Sequence, residues 1–112
     1  MSRPVTLHGA TGPNRAVVNG TYVPTAERLN DKPVYAKEGD ADRWLFFATD
    51  KSWYVTTGRE NMTANKAAGI THTETGLAHP AAAKAWRVWD GSKWDAQPLE
   101  VSIVVRVHPR LH

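Results

Sequence analysis

Apolar and polar side chains alternate along much of the chain, the period-two pattern of half-buried β-strands. The run from Leu99 to Val107 is the clearest case. Leu99, Val101, Ile103, Val105 and Val107 fall on one face, with Glu100, Ser102 and Arg106 on the other. Pro98 and Pro109 bracket it, and proline, having no backbone donor, marks strand limits. This strand is expected to form one wall of the core.

Two hairpins precede it. In the first, Arg43 to Ala48 turns through Thr49-Asp50-Lys51-Ser52 into Trp53 to Thr56. With Asp50-Lys51 as the turn centre, Ala48 faces Trp53 and Phe46 faces Val55. Trp44, Phe46, Trp53 and Val55 then share one side, and Leu45, Phe47 and Tyr54 the other. Both sides are apolar, so burial of most of both faces is expected, or exposure of one for a function. The second hairpin joins Trp86-Arg87-Val88-Trp89 to Ser92-Lys93-Trp94-Asp95 through Asp90-Gly91, a dipeptide that tolerates the positive φ of a tight turn. A two-residue loop pairs Trp89 with Ser92, and a four-residue loop pairs Trp89 with Trp94. Either register puts Trp89 and Trp94 on one face and Trp86 with Val88 on the other. The hairpins also echo each other in spacing, Trp44 and Trp86 being 42 residues apart and Trp53 and Trp94 41 apart; two aromatic hairpins that merely look alike explain this as well.

Upstream, Arg15 to Val18 runs into an Asn19-Gly20 turn and then Thr21 to Thr25, and Lys32 to Lys37 reads as a short strand. Glu38 to Asp42 is a polar turn. Within the less patterned stretch from Gly58 to Gly76, Gly69 to Thr73 reads as a strand and Arg59 to Ala68 as a mobile loop. The run Pro80 to Ala85 is the only helix-friendly segment, long enough for a short helical turn or a loop. Many short strands joined by turns predict an all-β fold: a single-domain antiparallel meander closed into a small barrel or half-barrel, with a two-sheet sandwich as the alternative. A single β domain is expected to occupy 1–112, with the core of the module over about 15–107 and a flexible tail at 108–112.

The chain has 112 residues, enough for one domain. It has no cysteine, which excludes disulfides, thiolate metal sites and a cysteine nucleophile. No apolar run reaches the length of a membrane span, and no secretory leader is recognisable. A cytoplasmic protein without membrane partners is therefore expected. Fourteen Lys and Arg against eleven Asp and Glu leave a net charge of +3. These cations are dispersed, not gathered on one face, so no nucleic-acid partner is expected.

An ordered series of short motifs spans most of the chain. Val18-Asn19-Gly20-Thr21-Tyr22-Val23-Pro24-Thr25 is followed by Asn30-Asp31-Lys32-Pro33-Val34-Tyr35-Ala36-Lys37 and by Gly39-Asp40-Ala41-Asp42-Arg43-Trp44-Leu45. Trp53-Tyr54-Val55 continues it, and Trp86 to Trp94 with Gln97-Pro98 closes it. The series resembles a small tryptophan-rich module of uncharacterised protist proteins, found singly and in multidomain chains. Members more often carry Asn-Gly where this chain has Asn30-Asp31. The resemblance implies a self-contained domain and assigns no residue a functional role; the module's use beside other domains suits an interaction module.

Five tryptophans are the main chemical feature. Trp44, Trp53 and Trp86 are expected in the core. Trp89 and Trp94 flank a polar turn, where exposed indoles could stack on a peptide or a sugar. With Arg87 and Asp90 beside them they form the candidate binding site. Tyr22, Tyr35 and Tyr54 read as separate structural tyrosines. His8, His72, His79, His108 and His112 show no metal-ligand spacing, and Asp40 with Asp42 reads as a turn cap. No nucleophile elbow, phosphate loop, dinucleotide fingerprint or zinc motif occurs. Catalytic residues, metal ligands and cofactors are therefore expected to be none. The expected function is a non-catalytic protein-interaction module acting through an aromatic surface. A carbohydrate-binding module is the alternative, and an enzyme a more distant one. The partner is expected to be a protein or peptide, and the chain itself a monomer or weak homodimer.

Overall fold

The computed structural model of the chain describes residues 3–40, 42–64, 69–97 and 99–104. Among the described residues, nine strands form one antiparallel sheet: β1 (Val5–His8), β2 (Gly20–Leu29), β3 (Lys32–Lys37), β4 (Arg43–Phe47), β5 (Trp53–Thr57), β6 (Thr71–Thr73), β7 (Trp86–Trp89), β8 (Trp94–Gln97) and β9 (Glu100–Ile103). Their order is β8-β7-β6-β5-β4-β3-β2-β1-β9. The fold is an all-β meander curled into a half-barrel, not a two-sheet sandwich. β8 and β9 lie at opposite ends of this order yet follow one another in the chain. The sheet therefore curls until its two edges approach.

The concave side holds the main core. Val5, Leu7, Tyr22, Tyr35, Leu45, Trp53, Val55, Trp86 and Val88 pack there, each at most 1% exposed. Trp53 Nε1 donates to the Leu77 carbonyl, which meets the requirement of a buried indole. The convex side of β4 and β5 carries a second cluster of Val34, Phe46, Ala48, Tyr54 and Met62, bordered by Trp44. Met62 belongs to α2 (Arg59–Thr63), which lies over this patch.

The first hairpin is buried on both faces, but its register differs from the expectation by one residue. Phe47 faces Trp53, Phe46 faces Tyr54 and Leu45 faces Val55. The turn is a three-residue loop, Thr49 to Lys51, in which Lys51 adopts φ +68° and its N–H bonds the Ala48 carbonyl. This loop is one residue shorter than the four-residue turn expected, which moves β5 by one step and exchanges its faces relative to β4. Trp53 and Val55 therefore share the core with Leu45 and Phe47, not with Trp44 and Phe46. For the same reason the spacing echo has no structural counterpart: Trp44 lies on the convex side and Trp86 on the concave side.

Three further expectations change. Arg15–Val18 is a helical turn, α1, although Pro80 to Ala85 reads as the only helix-friendly segment of the sequence. Val18 fills one end of the half-barrel, while Lys37 Nζ and the Tyr22 hydroxyl bond the carbonyls of Val17 and its neighbours. Arg59–Thr63 is helical, not a mobile loop, because Met62 is fully buried on the convex cluster; positions 65–68 of that expected loop lie outside the described residues. Finally, β9 is an edge strand. Leu99 is buried and Val101 half-buried, but Ile103 is 47% exposed, and among the described residues β1 is the only strand paired with β9. The remainder of the expected strand and the tail at 108–112 lie outside the described residues.

Other turns follow their chemistry. Asn30 and Asp31 both have positive φ, 52° and 66°, joining β2 to β3 by a two-residue loop of the kind these residues tolerate. Pro80–Ala82 is a 3₁₀ turn with Pro80 at its start. Gly69 sits where the Ile70 N–H bonds the Val55 carbonyl, and a Cβ there would strike that same carbonyl.

Candidate functional site

The second hairpin has the four-residue-loop register, with Trp89 opposite Trp94, Arg87 opposite Ala96 and Trp86 opposite Gln97. Strand alternation then sends Trp86, Val88 and Gln97 into the core. Arg87, Trp89, Trp94 and Ala96 point outward, and all four are exposed. Trp89 and Trp94 are each 36% exposed. Their centroids lie 5.3 Å apart with planes at 68°, so the two rings meet edge to face and form a corner, not a flat platform.

The corner ends a longer row. Phe46 contacts Tyr54 at 6.3 Å, Tyr54 stacks on His72 at 5.2 Å, and His72 meets Trp94 at 4.5 Å. These residues belong to β4, β5, β6 and β8, so the row crosses the convex side toward the sheet edge. His72 lies opposite Arg87 in register. To touch it, the Trp94 ring must fold back over β7. The row begins buried beneath α2 and ends open to solvent.

Asp90 serves the turn. Its Oδ1 accepts from the N–H groups of Ser92 and Lys93, both at 2.8 Å, and from the Ser92 hydroxyl at 3.2 Å. The N–H groups of Lys93 and Ser92 hold its carboxyl below the usual carboxylate range. Arg87 makes no ion pair or hydrogen bond through its guanidinium among the described residues. The four candidate residues are thus neighbours, with Trp89, Trp94 and Arg87 presented outward and Asp90 shaping the loop.

Beside Arg87 is a concavity of about 310 Å³ lined by Lys84, Ala85, Trp86, Arg87, Ala96 and Gln97. Its wall carries two cations and no carboxylate. Nearby, Glu74 bonds the N–H groups of Lys84 and Ala85. Burial would raise its pKa, but these backbone donors outweigh that and lower it. Trp86 Nε1 is the only buried side-chain polar atom without a hydrogen-bond partner among the described residues. A second, shallower concavity of about 400 Å³ lies among Lys32, Phe47, Lys51 and Leu77, with the Lys32 ammonium 5.8 Å from the Phe47 ring centroid.

The sequence reading missed Tyr54 and His72 as parts of the row. In Thr71-His72-Thr73 the usual polarity is inverted: both threonines face the core and the histidine faces out. Thr71 Oγ1 donates to the Arg87 carbonyl, and Thr73 Oγ1 accepts from the Trp53 N–H. His79, read as incidental, holds the 3₁₀ turn: its Nδ1 accepts from the Ala81 N–H at 3.0 Å and its Nε2 lies 3.3 Å from the Tyr35 hydroxyl. Among the described residues no group of three or more His, Asp or Glu could hold a metal ion, and no helix is long and apolar enough to cross a membrane. Compared with family models, curated proteins and solved structures, the chain matches none.

Proposed function

We propose that the chain is a non-catalytic protein-interaction module that docks a peptide segment of its partner against the Trp89–Trp94 corner. The observation that carries this reading is the exposure of both rings, 36% each, while Trp53 and Trp86 are buried to 1% or less. The core therefore does not account for the outer pair. Exposed indoles on a rigid hairpin supply large contact area at little entropic cost. Their 68° angle suits a side chain seated in the corner the two rings form better than a sugar laid across a coplanar pair. Membership of the tryptophan-rich protist module, which we also propose on the ordered motif series, accords with such a role.

The test is a selection from a randomised peptide library displayed on phage, run on the wild-type chain and on the Trp89→Ala/Trp94→Ala double variant. The wild type is expected to enrich peptides that the double variant does not retain, while both chains keep the same β-rich circular dichroism. Equal enrichment on both, or none on either, overturns the reading. Fluorescence quenching by oligosaccharides without peptide enrichment would point to the carbohydrate alternative.

A further inference from the structure

The backbone of β8 has a direction that the hairpin dictates. The Asp90 N–H donates to the Lys93 carbonyl at 3.0 Å, so Asp90 and Lys93 are a hydrogen-bonded pair. Bonded and non-bonded pairs alternate along antiparallel strands. Val88 with Asp95 and Trp86 with Gln97 are then bonded pairs, whereas Trp94 and Ala96 turn their N–H and C=O groups away from β7. Among the described residues no strand lies on that side, and Trp94, Asp95 and Ala96 are all exposed. At Gln97 the open stretch ends, because its side-chain amide exchanges two hydrogen bonds with the Thr11 backbone.

We propose that β8 accepts an extended segment of a protein partner as a further antiparallel or parallel strand, and that this segment places an apolar ring or proline opposite Trp94 and, two residues away, a carboxylate opposite Ala96. The inference rests on the interaction reading above and specifies the ligand for it. Side chains of an added strand that lie opposite Trp94 and Ala96 share their outward face and are spaced by two. The first borders the aromatic corner. The second meets only the Ala96 methyl, beyond which lies Arg87, its register partner. Two strand spacings, about 10 Å, separate the added backbone from β7, a gap that a glutamate and an arginine span together. Arg87 and Lys84 line the concavity there with no carboxylate in its wall, so the charge that completes it is negative.

A second copy of this chain fits the edge less well. Antiparallel self-pairing that used both free residues would set Trp94 against Ala96 of the copy, and Asp95 directly against its own counterpart. Like charges so placed are destabilising.

The peptide-display selection also tests this inference, with two more chains. Ala96→Pro deletes one edge-facing N–H without touching the β7 ladder, and proline is accepted on an edge strand. Arg87→Glu reverses the charge beside Ala96. The wild type is expected to enrich peptides with an aromatic residue or proline and an acidic residue spaced by two. Ala96→Pro is expected to bind them roughly tenfold more weakly, and Arg87→Glu to enrich basic residues at the acidic position. Synthetic copies of the enriched peptides with the edge-pairing amides N-methylated are expected to weaken similarly. Peptides that lack this spacing, or that bind Ala96→Pro and their N-methylated forms as tightly as the originals, overturn the inference. If those same peptides are lost with the Trp89→Ala/Trp94→Ala variant, the aromatic docking face stands without strand addition. An absence of enriched peptides overturns both.

Discussion

His79 shows how one side chain can carry a local fold. Its Nδ1 must be bare to accept the Ala81 N–H, and burial further disfavours the imidazolium, so it titrates below its ordinary 6.5. Between the folded and unfolded values the unfolded chain binds a proton that the folded chain does not. The stabilisation is therefore complete above the unfolded value and is lost as pH falls through the folded one. Asparagine at this position could cap the turn without titrating. Urea midpoints measured from about pH 8 to about pH 5 are expected to fall more steeply for the wild type than for His79→Asn. Parallel curves would remove His79 from the acid response. At the same scale, Asp42 places its Oδ1 on both Trp44 Nε1 and the Arg59 N–H, tying the β4 entry to the start of α2. It has φ +63°, a conformation that aspartate tolerates better than most residues.

Among the elements, α2 has an importance out of proportion to its five residues. Without it, Phe46 and Tyr54 would face water on the convex side. Met62→Ala is expected to cost about 2–5 kcal/mol, read as a lowered denaturant midpoint with a higher amide-exchange rate across β4 and β5. A change below about 0.5 kcal/mol would mean that α2 merely rests on the sheet. That helix was not legible in the sequence, because Arg59-Glu60-Asn61-Met62-Thr63 shows one apolar residue and no periodicity. The strands were legible wherever alternation was strong. β3 falls at Lys32–Lys37 as read, and Asp90-Gly91 located the second hairpin. What failed was register in the first hairpin, since Thr49-Asp50-Lys51-Ser52 names no turn type and a non-glycine residue at positive φ leaves no compositional mark. The helical turn at Arg15–Val18 was not legible either, because β-branched Val17 and Val18 are weak helix formers and the turn is held by burial of Val18 in the core. Of the candidate site, the face shared by Trp89 and Trp94 was legible from parity alone. The contact with His72 was not, because it crosses from β6 to β8 over an intervening strand.

For the whole molecule, closure is the governing fact. Where the β8 edge meets the loop after β1, a side-chain amide stands in for a backbone ladder: Gln97 exchanges two hydrogen bonds with Thr11, just beyond the two that Asn19 exchanges with Ala10 at the end of the β1–β2 pair. Gln97→Leu is expected to destabilise the fold by about 1–2 kcal/mol and to speed exchange of the Thr11 amide more than that of Val55. Uniform acceleration would instead assign Gln97 to the global core. β1 also pairs with β9, Val5 facing Ile103 and Leu7 facing Val101, although β2 to β8 all lie between them in the chain. During translation one flank of β1 therefore stays bare while those seven strands are made. A nascent chain that has not reached β9, or one that ends before it, thus offers a ready template for misassembly.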